Sequence, residues 1–299
     1  MDTTEQIVEI ATPDGPMATP TYRPADGSSG PGVVIIMEAF GVDAHVMDVA
    51  RRFAVEGYVA VAPDLFHRGG RLASAPYDKL AEYRDQLRVG FSDQTVLSDV
   101  EAAVRQLQAD PGVQGPIGIV GFCLGGRVSF VSAANVPGLA AAAVYYPGNL
   151  VPAADAPAGT IRALEECGKL NIPIIGFFGN DDANPTPEIV GQLDAELTKL
   201  GKQHDFNAYD GAGHGFFCDA RDSYRADAAK DAWAKTLAFF ERHLGGRADL
   251  QSDGAFALDM ADQRRALRDQ NIGQSRYGED GAVARHAGTH VDHRRVPRV

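Results

Sequence analysis

Cysteine is scarce in this chain: Cys123, Cys167 and Cys218 are the three among 299 residues. So small and odd a number does not make a disulfide framework, and it points to a reducing, cytoplasmic setting. Long apolar runs are missing as well, and none approaches the ~20 residues of a membrane span. The opening residues, Met1-Asp2-Thr3-Thr4-Glu5-Gln6, are acidic and polar, unlike a signal peptide. Positive charge is in deficit, with Lys+Arg 28 against Asp+Glu 40 and a net charge of −12. That balance argues against nucleic acid and anionic membranes as partners. It leaves an anionic small substrate open, because exposed charges are screened beyond ~8 Å at physiological salt. No H-x-E, H-E-x-x-H or C-x-x-C pattern supports a metal, and there is no internal repeat. What remains is ordinary for a soluble globular protein: 44% hydrophobic and 23% charged residues. The length suits one large α/β domain or two small ones.

One stretch organises the rest. Ile117-Gly118-Ile119-Val120-Gly121-Phe122 is uncharged and mostly apolar, as in a buried strand. It runs into Gly121-Phe122-Cys123-Leu124-Gly125, a G-x-C-x-G. Val128, Phe130, Val131, Ala133 and Ala134 then suit a mostly buried helix. Strand, glycine-bounded tight turn and helix form the setting in which G-x-S-x-G makes the nucleophile elbow of α/β-hydrolases, with Cys123 here at the nucleophile position. So sharp a turn strains the backbone at Cys123, and neighbours without Cβ remove the clashes. The helix N-terminus behind it offers N–H groups that favour a thiolate and, later, an oxyanion. The competing reading is a buried structural cysteine beside a Gly-rich turn.

Taken in order, Gln6–Thr12 and Ala18–Tyr22 flank Pro13-Asp14-Gly15 as an antiparallel hairpin. Gly32–Met37 is an apolar strand, followed by a helix capped by Asp43 and reaching Glu56, and by a strand at Tyr58–Ala62. Residues 67–92 form an excursion with a helix inside 77–88. Helices at 93–108, 188–200 and 224–243 and strands at 140–146, 173–178 and 204–209 complete an alternating pattern. The expected fold is α/β: a doubly wound, mostly parallel sheet with an N-terminal antiparallel hairpin and helices on both faces. It occupies residues 1–245. From Gly246 the apolar period disappears, and residues 247–299 carry nine Arg against eight Asp/Glu, the composition of a disordered C-terminal tail.

A cysteine nucleophile needs a base, and the base needs an orienting partner. In the α/β-hydrolase order an acid and then a histidine follow the nucleophile. Asp182 follows the strand at 173–178 in Gly179-Asn180-Asp181-Asp182, and His214 follows the next strand in Gly211-Ala212-Gly213-His214-Gly215-Phe216. Both fall on the sheet edge that carries Cys123. Asp181 competes for the acid, but G-x-x-D favours Asp182. Glu38 ends an otherwise apolar strand, where burying a carboxylate is expensive; an ordinary helix-N-terminal carboxylate is the alternative.

With these motifs the chain resembles the dienelactone hydrolase (carboxymethylenebutenolidase) family of α/β-hydrolases. The resemblance covers residues 6–243 and rests on Met37-Glu38-Ala39-Phe40-Gly41, on residues 57–66, on residues 121–126, on Gly179-Asn180-Asp181-Asp182 and on Gly211–Phe216. It implies a Cys123/His214/Asp182 triad. It also implies that Glu38 takes the thiol proton, and that the backbone N–H groups of Leu124 and Ala39 form the oxyanion hole. Family members acting on dienelactone hold its carboxylate with arginines. One lies four residues after the catalytic histidine, where this chain has Cys218, and Arg221 stands out of register. The other belongs to the excursion, where Arg84 or Arg88 are the candidates; Phe40 and Phe216 would line the substrate. The expected activity is hydrolysis of a small ester or lactone through an acyl-cysteine, by a monomer and without a cofactor. A thioesterase or other small-ester carboxylesterase on the same site, or a non-catalytic ligand-binding or redox-sensing protein, are the alternatives.

Overall fold

The computed structural model describes residues 2–152, 156 and 159–245. The tail expected at 246–299 lies outside the described residues. Eight strands form one sheet in the order β1-β2-β4-β3-β5-β6-β7-β8. The hairpin β1 (Thr3–Thr12) and β2 (Gly15–Pro24) is antiparallel, and β2 joins the sheet antiparallel to β4 (Val59–Val61). From there to β8 every pairing is parallel: β3 (Gly30–Ile36), β5 (Val113–Phe122), β6 (Leu139–Tyr145), β7 (Ile174–Gly179) and β8 (His204–Tyr209). Parallel strands need crossovers, and the helices supply them.

The helices divide between the two faces. On one, α1 (Ala44–Val55) and α7 (Ala226–Leu244) meet through Phe53, Trp233 and Phe240. On the other, α3 (Asp93–Ala109) packs beside α4 (Leu124–Asn135), and α4 touches α5 (Ala163–Glu166). A further helix, α6 (Pro187–Lys199), covers β7 and β8, and α2 (Leu80–Leu87) lies in the excursion. The middle strands are buried on both faces: β3 is buried throughout, and so are Ile117–Phe122 of β5. This is why those strands read as continuous apolar runs rather than alternating ones. β5 begins four residues earlier than the apolar run suggests, because exposed Gln114, Gly115 and Pro116 still belong to the strand. Asp43 caps α1 as expected, accepting the Val46 N–H at 3.0 Å. No helix among the described residues is long and apolar enough to cross a membrane.

Candidate active site

Parallel strands point their C-terminal ends to one edge, and the loops there carry the chemistry. Cys123 links β5 to α4 at φ 55°, ψ −116°, a conformation an L-residue adopts only when its surroundings impose it. The turn closes because nothing stands in the way. A Cβ on Gly121 would collide with the Gly125 carbonyl, and one on Gly125 with the Ile36 carbonyl of β3. Cys123 donates its N–H to Tyr145 O at 3.1 Å, and its own carbonyl accepts from Gly148 at 3.2 Å. The elbow is thereby pinned to the end of β6, with the cysteine only partly buried.

His214 follows β8, and Asp182 follows β7. Asp182 Oδ2 lies 2.9 Å from His214 Nδ1, and Oδ1 accepts the Asn184 N–H at 2.8 Å. The structure brings Asp182 to the imidazole and leaves Asp181 exposed. Burial pulls the His214 pKa down, but hydrogen bonds to the Asp182 carboxylate and the Cys123 sulfur outweigh it and raise it to about 10. Cys123, His214 and Asp182 thus share one electrostatic unit.

Glu38 sits just past β3 and is 1% exposed. Burial pushes its carboxyl up, and the nearby charges of His45 and Arg221 pull it back. Arg221 Nη1 reaches its two oxygens at 3.5 and 3.4 Å. Leu124 opens α4, where a helix's first N–H groups have no intrahelical partner, and Ala39 borders Glu38 in the same β3–α1 loop.

The substrate-lining expectations fare differently. Phe40 is nearly buried and stands edge-on to Tyr77, with ring centroids 4.7 Å apart. Phe216 is fully buried between Tyr146 and Tyr209, at 5.2 and 5.3 Å, so it belongs to the ring stack under the site rather than its surface. The two candidate arginines of the excursion, Arg84 and Arg88, are exposed; Arg88 at the end of α2 is the one whose guanidinium feels the Cys123 charge. Cys218 is fully buried, with Sγ 3.5 Å from Tyr77 Oη, so it faces the interior and not the site opening.

Three neighbours escaped sequence reasoning. Tyr146, at φ 34°, packs its ring 5.2 Å from that of His214. Its position at the end of β6 is a usable signal, since the expected strand already ended there. Tyr77 carried no signal. His45 is buried, lies between Phe122 and Phe217 with centroids 5.9 and 6.0 Å away, and has Asp219 Oδ1 3.9 Å from Nδ1. Burial lowers the His45 pKa, but the Cys218, Asp43 and Glu38 charges raise it to about 9.

The chain is similar to known proteins. A model of the dienelactone hydrolase family matches residues 17–244. A protein named "Putative carboxymethylenebutenolidase" from Synechocystis sp. is 35% identical over 216 residues, 72% of this chain and 87% of that one. The carboxymethylenebutenolidase of Rhodococcus opacus is 31% identical over 225 residues, 75% of this chain and 85% of that one. Among solved structures, a "Putative Dienelactone Hydrolase" from Klebsiella pneumoniae superposes with a TM-score of 0.73 at 28% identity, over 81% of this chain and 100% of that one.

Proposed function

The chain belongs to the dienelactone hydrolase family, and from that premise we propose that Cys123, His214 and Asp182 cleave a small ester or lactone through an acyl-cysteine intermediate. The enzyme is a carboxylic ester hydrolase. The single observation that carries the reading is that His214 is tied to Asp182 at 2.9 Å and electrostatically to a cysteine held at a strained, glycine-bounded elbow.

The steps follow from the atoms present. Glu38 takes the Cys123 thiol proton, leaving a thiolate beside the His214 imidazolium. The sulfur attacks the substrate carbonyl, and the N–H groups of Leu124 and Ala39 meet the oxygen as it becomes negative. The tetrahedral species collapses. The alkoxide leaves and takes the proton from His214 Nε2; in a lactone it stays tethered to the acyl group. A water then gives one proton to His214 as its oxygen attacks the thioester. Collapse of the second tetrahedral species releases the acid and returns the thiolate. Asp182 accepts a hydrogen bond from His214 Nδ1–H throughout and stabilises the imidazolium each time it forms.

Mixing enzyme with p-nitrophenyl acetate tests this directly. A burst of p-nitrophenol stoichiometric with enzyme is expected, with the acetyl group recovered on the Cys123 peptide. Steady release without a burst, together with acetylation elsewhere, would remove the assignment. A ligand-binding or redox-sensing protein would show no turnover at all.

A further inference from the structure

The loop after β6 touches the nucleophile with one residue and the acid loop with the next. Gly148 donates its N–H to Cys123 O at 3.2 Å, and Asn149 donates its own to Asn184 Oδ1 at 2.9 Å. Asn184 returns the bond: its Nδ2 donates to Asn149 Oδ1 at 3.3 Å. A backbone N–H can only donate, so Asn149 fixes which end of the Asn184 amide faces it. Asn149 stands at φ 56°, in the left-handed region that asparagine tolerates, and from there it presents both its N–H and its side chain to Asn184.

Asn184 is joined to Asp182 as well. Its N–H donates to Asp182 Oδ1 at 2.8 Å, and Asp182 Oδ2 meets His214 Nδ1 at 2.9 Å. A path of hydrogen bonds thus runs from the elbow through Gly148, Asn149, Asn184 and Asp182 to the imidazole. The loop also lies against that ring: a Cβ on Gly148 would come 3.8 Å from His214 Cε1 and 3.6 Å from Asn184 Nδ2. Toward β8 the acid loop is held separately, by the Asn180 N–H on Tyr209 O and the Asp181 N–H on Ala212 O, both at 2.9 Å. Those bonds set the acid against the histidine. The amide pair ties the acid loop the other way, toward the sulfur.

Both asparagines are exposed. Water competes for exposed amides, so the pair adds little to stability. Its geometry carries more weight, because a triad works only while carboxylate, imidazole and sulfur stay in line. A displacement of about 1 Å can cost about 10²-fold in rate.

We propose that the Asn149–Asn184 amide pair is a positioning device, which acts through Asp182 and fixes the acid loop against the nucleophile elbow. The inference rests on the Cys123/His214/Asp182 reading, which the burst experiment tests separately.

The test reads His214 itself. It is faced by Asp182 from the β7 loop, by Cys123 from the elbow, by the Glu38 charge from the β3–α1 loop and by the Tyr146 ring from the end of β6. Asn184→Ala leaves these four in place and keeps the N–H at 184, so it removes only the side-chain pair. Nitrogen NMR of labelled histidine follows the loss of the His214 proton, and p-nitrophenyl acetate gives kcat and KM. Asn184→Ala lowers kcat roughly 10- to 100-fold with KM nearly unchanged. His214 then titrates at a lower pH than in wild type, because its carboxylate is held less firmly. The Tm moves by less than about 2 °C, as for a surface change. Asn149→Gly keeps the left-handed backbone and the N–H and loses only the bond of 3.3 Å, so kcat falls roughly 2-fold, the low end for one hydrogen bond. In the Asp182→Asn background Asn184→Ala costs nothing further, because its effect passes through the lost carboxylate. Unchanged kcat and His214 titration in Asn184→Ala, or the same loss with and without Asp182, overturn the proposal. A kcat loss matched by a large fall in Tm, with His214 titrating as in wild type, marks a merely structural role and overturns it as well. Should Asn184→Ala not fold, Asn184→Gln replaces it: the amide stays but sits one methylene out of register, and an unchanged kcat and titration overturn the proposal equally. The titration requires no turnover, so it stands apart from the nucleophile assignment, which a Cys123→Ala protein that still hydrolysed the ester would sink instead.

Discussion

Replacing Asp182 by asparagine isolates what the acid contributes to the proposed triad. The Asp182 side chain is 1% exposed, so its charge acts on His214 with little solvent screening. The two groups meet at 2.9 Å, while the other carboxylate oxygen is held by the Asn184 N–H at 2.8 Å. An asparagine that keeps the Asn184 bond must turn its NH2 toward Nδ1. Two donors cannot face one another, so His214 moves its proton to Nε2, the nitrogen that has to accept one. The imidazolium also loses its counter-charge, worth about 4 kcal/mol for a pair at 4 Å and an effective dielectric near 20. Together these should cost about 10⁴ in acylation rate, as when the acid of such a triad is lost elsewhere. Asp181→Asn is the control: Asp181 is exposed, and its backbone N–H, not its side chain, is tied to Ala212 O at 2.9 Å. Its rate should stay within roughly a factor of two of wild type, as for most surface changes. Single-turnover release of p-nitrophenol reads both. Stability gives a second readout with a defined sign. The His214 pKa is raised from 6.5 to about 10 on folding, so the stabilisation is fully present below pH 6.5 and is lost as pH rises through about 10. The Tm deficit of Asp182→Asn should therefore be largest in acid and shrink toward pH 10. Equal rate losses for the two variants, or a deficit that grows with pH, would refute the reasoning.

Other expectations follow from the same geometry. Cys123→Ala should abolish turnover, whereas Cys167→Ala, at a buried thiol bonded to Ala163 O at 3.6 Å, should leave kcat unchanged in the same p-nitrophenyl ester assay. Cys218→Arg does not restore a surface arginine: the position is fully buried, and a guanidinium there would displace Tyr77, so urea titration should show a loss of several kcal/mol, as for an unpaired buried charge. Asp64 is fully buried, and burial outweighs its N–H bonds from Leu72 and Phe66, raising its pKa from 3.8 to about 7. Its contribution is thus present below pH 3.8 and lost as pH rises through about 7, so Asp64→Asn should gain in Tm relative to wild type over that window. A chain ending at Gly245 retains every residue of the proposed site and should keep wild-type kcat/KM.

The elbow was legible because steric need writes itself into composition: only glycine fits at 121 and 125, where carbonyls crowd the missing Cβ atoms. Asp182 and His214 were legible because each follows a strand whose apolar run is easy to read, and parallel topology sends both to one edge. The approach of Arg221 to Glu38 was not, because counting along the chain assumes an extended register, and the two turns after Gly215 break it. The same assumption led to Cys218 as the residue facing a substrate. Tyr77 and His45 act across the fold, on Cys218 and Asp219, and no local pattern announces a partner so far along the chain. Phe216 was misplaced for a related reason: a residue flanking a site histidine can turn inward as easily as outward, and only packing decides.

Strand order also sets when the nucleophile meets its base. β5 lies in mid-sheet beside β3, and the chain then lays β6, β7 and β8 outward, one after another, to the far edge. A ribosome therefore delivers Cys123 first, then Asp182, then His214, and Arg221 last. Until β8 docks on β7, the cysteine waits on a half-built platform without the His214 imidazole. On the proposed assignment the base and its acid reach the cysteine only once the edge strand and the loop behind it are in place. Domains that assemble through such distant pairings close late and together, and on the proposed assignment the three site residues meet only at that closure.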